Sequence, residues 1–139
     1  MPSYEALYWI IMFPQDEMWF RLLSGLLVGL ALGSFVTMLS YRAPRNLSIV
    51  SPPSHCPFCR TPLRPRDLMP VLSWLIEKGK CRHCGTSIGL RYVMIELITT
   101  ACCLAAFAWF GFTPKLVAAL IGIVSFITLV TINIERGRS

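Results

Sequence analysis

The stretch CPFCRTPLRPRDLMPVLSWLIEKGKCRHC, Cys56 to Cys84, decides how this chain is read, because it holds four of its six cysteines as two Cys-x-x-Cys pairs separated by 21 residues. That spacing suits a closed site in which four thiolates, Cys56, Cys59, Cys81 and Cys84, surround a zinc ion tetrahedrally. Four sulfur ligands leave no open position for water, so the metal is expected to be structural rather than catalytic. A redox-active dithiol pair and a metal-free knuckle remain as alternatives. The whole loop that carries this stretch, 42–91, also needs a staple. Pro44, Pro52, Pro53, Pro57, Pro62, Pro65 and Pro70 interrupt it, and its apolar residues concentrate in Leu68–Ile76. So small a core supplies little folding energy, whereas a structural zinc site can supply it outright. His55 and His83 adjoin the cysteines and read as exposed loop residues, with replacement of a sulfur ligand as the alternative.

Outward from this head the chain is apolar. Over 139 residues the mean hydropathy is +0.60 and 14% of residues are charged, against about 25% in soluble domains. Three windows approach the ~20 apolar residues that a bilayer-crossing helix needs. They run over 22–41, 92–112 and 116–134. The expected architecture is an all-α membrane protein of about three transmembrane helices with a small cytoplasmic zinc-knuckle loop domain. Its parts are a periplasmic interfacial segment (1–21), a first span (22–41), the cytoplasmic loop (42–91), a second span (92–112), a periplasmic turn (113–115), a third span (116–134) and a cytoplasmic tail (135–139).

Charge sets the orientation. Nine of the thirteen Lys and Arg residues fall between Arg42 and Arg91, opposed by only Asp67 and Glu77. By the positive-inside rule this loop is cytoplasmic, and the N-terminal flank with Glu5, Asp16 and Glu17 lies outside. Topology and attraction to anionic lipid account for the net charge of +6, so nucleic acid is not an expected partner and membrane lipid is. The first span carries an acidic rather than basic leading flank and is followed by Arg42 and Arg45, which reads as an uncleaved span rather than a signal peptide. Tyr4–Phe13 is aromatic and too short to cross, and suits the outer interface.

Within the spans, Gly25, Gly29 and Gly33 form a small-xxx-small ladder that permits close helix approach. Cys102 and Cys103 read as small apolar packing residues. Glu96 is the exception, since a carboxylate about a turn into a span is costly without a partner. Arg91 and Arg82 are candidate partners in a structural ion pair, and a place in a substrate or cofactor pocket is the alternative. Glu135, beside Arg136, reads as the end of the last span meeting water.

Three strings in this order, GSFVTMLSYRAP (Gly33–Pro44), the double-knuckle segment through GTSI (Cys56–Ile88) and LRYVMIELIT (Leu90–Thr99), resemble the N-terminal half of bacterial type IV prepilin leader peptidases. The resemblance covers about Gly33 to Glu135. It implies an inner-membrane protein that serves type IV pili or type II secretion. Its substrate would be a prepilin or pseudopilin, whose basic leader is cleaved and whose new N-terminal Phe is methylated from S-adenosylmethionine. In that family the knuckle region is associated with substrate handling and methylation. Cleavage belongs to two aspartates, one in an Ile-Asp…Pro-Asp segment after the third span and one in a later Gly-x-Gly-Asp motif. Two carboxylates are needed because one activates water while the other donates a proton.

Here Ile132-Asn133-Ile134-Glu135 stands where the first aspartate segment begins, with Asn133 at the aspartate position. An amide cannot act as the base, and Glu135, two residues on, is turned by about 200°. The sequence ends at Ser139, so the second motif is expected on a separate C-terminal peptidase half carried by another chain, with natural truncation or gene decay as alternatives. Thr37 replaces the family's usual Asn and Val93 its usual Pro. Three readings compete: a component of the peptidase/methyltransferase, a non-catalytic zinc-binding module that docks prepilin or secretion partners, and a remnant without function.

Overall fold

A computed structural model describes residues 17–50, 54–56, 58–64, 67 and 69–137. The Tyr4–Phe13 stretch and its interfacial reading lie outside them. The described elements are α1 (Met18–Arg42), a 3₁₀ turn (Ala43–Arg45), α2 (Leu72–Ile76), α3 (Leu90–Phe110) and α4 (Pro114–Arg136). Among the described residues the only strand-like pairings are two isolated bridges, His55 with Pro62 and Lys80 with Ser87. Three helices, α1 with its 3₁₀ extension, α3 and α4, are long and apolar enough to cross a membrane.

Local chemistry sets the helix ends. Helix α1 stops where Pro44 enters the chain and Asn46 turns left-handed at φ 53°. Between α3 and α4 the turn falls at 111–113, earlier than the expected 113–115, for two reasons. Gly111 adopts φ 55° and ψ −154°, a conformation that side chains exclude. Pro114 occupies the first turn of α4, where its missing N–H costs nothing. The Arg21 side chain of α1 covers that turn, and a Cβ on Gly111 would sit 3.1 Å from its guanidinium carbon.

The most extensive packing joins α1 to α3, and the glycine ladder is the reason. A Cβ on Gly25 would lie 3.1 Å from Leu104 Cα, one on Gly29 2.7 Å from Thr100 Cα, and one on Gly33 2.9 Å from Glu96 Cα. The partner position falls as the glycine position rises, so the two helices run antiparallel with their backbones nearly touching. Opposite the ladder, Thr99 and Thr100 return their hydroxyls to the carbonyls of Ile95 and Glu96, which leaves no polar group demanding water. Cys103 is fully buried in this seam, as expected of a packing residue. A small apolar cluster of Ala106, Phe107 and Leu116 ties α4 to the far end of the pair.

Two expectations about charge are corrected at the opposite end. Glu135 does not face water: its side chain is only 10% exposed and is held by Arg45 Nη1 at 2.9 Å and by Arg91. One carboxylate thus ties together the ends of α1, α3 and α4. Arg91 is consequently not the partner of Glu96, and Arg82 pairs instead with Glu77 inside the head. The physical reason is rotation, since five residues along a helix turn a side chain by about 140°. Arg91 therefore points at α4 and Glu96 at α1 and the head.

Candidate metal centre and the cavity beside it

The head, between α1 and α3, is built from two copies of one turn. In the first, Cys56 N–H donates to Thr61 O at 3.0 Å and Arg60 N–H to Cys56 O at 2.9 Å. In the second, Cys81 N–H donates to Thr86 O at 2.8 Å and Gly85 N–H to Cys81 O at 2.9 Å. Each turn passes through a left-handed residue, Arg60 at φ 56° and Gly85 at φ 69°, and each is closed by one of the two bridges. This conformation folds a Cys-x-x-Cys segment so that both sulfurs face one point.

The two turns face each other, and the Sγ atoms of Cys56, Cys59, Cys81 and Cys84 all lie within 4.8 Å of one another. Cys56 and Cys84 sulfurs are 3.8 Å apart. Zinc–sulfur bonds of about 2.3 Å in a tetrahedron put the sulfurs about 3.8 Å apart, so the cluster has the dimensions to hold a metal ion such as zinc. The head also lacks an alternative core, because Cys56 and Cys81 are the only buried apolar residues among its described positions.

Electrostatics sets Cys56 apart from Cys59 and Cys84. Burial pushes the Cys56 thiol up to about 11. The Thr86 hydroxyl, 3.2 Å from Cys84 Sγ, brings that thiol down to about 6, and Thr61, 3.3 Å from Cys59 Sγ, lowers Cys59 in the same way. A hydroxyl donating to sulfur stabilises the thiolate that a metal needs. Spacing of the cysteines alone does not point to Thr61 and Thr86. Their signal was there, since both knuckles read Cys-x-x-Cys-x-Thr. Neither His55 nor His83 belongs to the cluster, and both are exposed.

The second knuckle is anchored to α2 by Trp74, whose indole N–H donates to Ile88 O at 3.0 Å. Gly79 packs against this ring at φ 69°, where a Cβ would approach the ring to 2.7 Å. Between the head and the adjoining ends of α1 and α3 is a cavity of about 570 Å³, a size that accommodates small-molecule ligands. Thr37 and Tyr41 line it from α1, Trp74 from the head, and Tyr92, Val93 and Glu96 from α3. Glu96 is buried, and its Oε2 accepts the Val71 N–H at 2.7 Å. The carboxylate therefore bonds to head backbone rather than to an arginine. Asn133 lies on α4 and is not among the cavity-lining residues.

The model of the bacterial peptidase A24 N-terminal domain matches residues 27–110, which take in Gly29 and Gly33 of the ladder, the head and the whole of α3. The chain belongs to that family. Similar to it is the prepilin leader peptidase/N-methyltransferase of Bacillus subtilis, 44% identical over 104 residues that cover 75% of this chain and 40% of the relative. The enzyme of the same name from Myxococcus xanthus is 38% identical over 109 residues, covering 78% of this chain and 32% of the relative. A type 4 prepilin-like proteins leader peptide-processing enzyme of Escherichia coli O78:H11 is 37% identical over 100 residues, covering 58% and 37%. The aligned part of the chain thus spans roughly a third to two fifths of these relatives. No solved structure matches it. As a member of the A24 N-terminal family the protein carries, in one unit, the four-cysteine cluster, the cavity and the helices that frame them.

Proposed function

We propose that this chain supplies the head-bearing, substrate-handling part of a bacterial prepilin leader peptidase/N-methyltransferase. The observation that carries the reading is the family match across 27–110, which includes both knuckles and every cavity-lining element of α1 and α3. In this reading Cys56, Cys59, Cys81 and Cys84 hold a structural zinc, the protein resides in the bacterial inner membrane, and the head and C-terminal end face the cytoplasm. The basic head-side surface and its cytoplasmic placement follow from the positive-inside rule. The substrate is a prepilin or pseudopilin, and leader cleavage requires an aspartate-bearing half.

The cavity offers what a cationic cofactor such as S-adenosylmethionine needs: a buried carboxylate, Glu96, one helical turn from the Tyr92 ring, which lines the same cavity. When bound, that cofactor supplies a methyl group. Glu96 and the Tyr92 ring would bind and orient its charged end.

A second reading is favoured by one residue. Asn133 cannot serve as an acid–base group, which suits a non-catalytic module that docks prepilin through the same head. The test is expression in a host lacking its own prepilin peptidase, together with a prepilin, with and without a candidate aspartate-bearing half. Leader removal is followed by electrophoresis and N-terminal methylation by mass spectrometry. Either activity with the added half supports the enzyme reading. Tight prepilin binding at one zinc per chain without either product supports the docking module.

A further inference from the structure

We propose that α2 is an interfacial element that seats its exposed apolar face in the bilayer on the head side of the bundle, with Lys78 and Lys80 meeting anionic lipid headgroups at its edge. The depth of the segment carries the argument. Val71 N–H donates to Glu96 Oε2 at 2.7 Å, and Glu96 lies six residues into α3, which starts at Leu90. At about 1.5 Å per residue, the Glu96 Cα stands about 9 Å along the helix from its head-side end, and its side chain leans back toward that end to meet Val71 beside the first turns of α3. The facing residue of α1 is Gly33, nine residues before its last residue, Arg42. The head therefore does not sit on top of the bundle. One limb of it runs down the side, to where the lipid chains begin if α1 and α3 cross the membrane.

The chemistry of this limb fits that environment. Met69, Leu72, Leu75 and Ile76 are 45–63% exposed although nothing but apolar side chain is on offer there. In water this patch would carry an unfavourable hydration cost, whereas continuity with the apolar surface of the spans lets lipid cover it. Non-helical backbone survives at membrane depth only when its polar groups are satisfied by protein. Pro70 has no N–H to satisfy, Val71 N–H reaches Glu96, and Ser73 returns both its N–H (3.1 Å) and its hydroxyl (2.8 Å) to Met69 O. Trp74 satisfies its indole N–H on Ile88 O, at the level where Trp residues settle in bilayers. Immediately beyond the patch, Glu77 is paired with Arg82, and the exposed Lys78 and Lys80 leave this rim positive.

The proposal rests on α1, α3 and α4 crossing the membrane, and its test separates the two claims. The full chain, zinc-loaded, is placed in nanodiscs of phosphatidylethanolamine and phosphatidylglycerol with p-benzoylphenylalanine at Leu75, at Ile121 on the exposed face of α4, or at His83 in the second knuckle. After irradiation, intact-mass measurement is expected to show lipid adducts at 75 and 121 and none at 83. Adducts at 121 with none at 75, or a protein adduct in place of lipid at 75, would overturn the seating of α2 while leaving the spans standing. No adduct at 121 would remove the membrane-crossing reading itself. A second measurement leaves α2 unaltered: with Trp9, Trp19 and Trp109 replaced by Phe, Trp74 fluorescence is expected to be quenched by brominated lipid and protected from aqueous iodide. The reverse pattern would refute the proposal. Replacing phosphatidylglycerol by phosphatidylcholine is expected to reduce the brominated-lipid quenching, and no change would remove the role of Lys78 and Lys80.

Discussion

At the scale of single residues, the four sulfurs are unequal although their motifs are alike. Cys56 and Cys81 are buried where the two turns meet, while Cys59 and Cys84 lie outward beside a threonine hydroxyl. Replacing Cys81 by Ser is expected to lower zinc below one per chain and make the head protease-sensitive, and so is replacing Cys56. Unchanged metal content in both variants would rule out the four-thiolate site. Thr86→Val is milder: it removes the hydroxyl bonded to Cys84 Sγ, which lowers that thiol's pKa, and is expected to weaken zinc affinity by about 10- to 100-fold, read by competition with a chelator. Glu135 is the residue whose role the linear sequence hid. Its neighbour Arg136 made it look like an ordinary helix end, yet it is held by Arg45 and Arg91, from positions 90 and 44 residues away in the chain. Glu135→Gln leaves two guanidinium groups without their counter-charge and is expected to cost about 1.5–3 kcal/mol, measured as a lowered Tm in detergent. No shift in Tm would show that the carboxylate contributes nothing to holding the three helix ends.

At the scale of elements, the α1–α3 seam depends on having no side chain at three positions. Gly29→Val adds bulk where even a Cβ would stand 2.7 Å from Thr100 Cα, and it is expected to force the helices apart and lower Tm. Gly122→Val in α4 is the matched control, because a Cβ there meets nothing within 4 Å. Equal losses in the two variants would mean that the ladder is not a contact surface. The ladder was legible as a pattern, since glycines four residues apart share a helix face. Its partner was not, because any helix could have filled the groove. The knuckles were legible for a related reason: local spacing alone fixes how a Cys-x-x-Cys turn presents its sulfurs. The path of the chain between them was not legible, since it depends on Trp74 docking on Ile88 and Val71 on Glu96, contacts across 14 and 25 residues.

At the scale of the whole molecule, a head is tied to one end of a three-helix bundle and borders a partly open cavity against it. The 139-residue chain by itself is expected to leave a prepilin leader intact, because the resemblance puts Asn133 where the first catalytic aspartate would stand and the only aspartates of the sequence are Asp16 and Asp67. Cleavage by the purified chain, free of host peptidase, would defeat that expectation. Apolar windows determined from sequence alone that three helices long enough to cross a membrane would form, and cysteine spacing determined that a four-sulfur cluster would. Both are short-range properties, set by a helix's own length and by the closure of a tight turn. Tertiary structure alone decided that Glu96 would accept a head N–H and that Glu135 would join three helix ends. Those outcomes depend on which face each helix turns toward its neighbours, and that is fixed only when the glycine ladder closes α1 against α3.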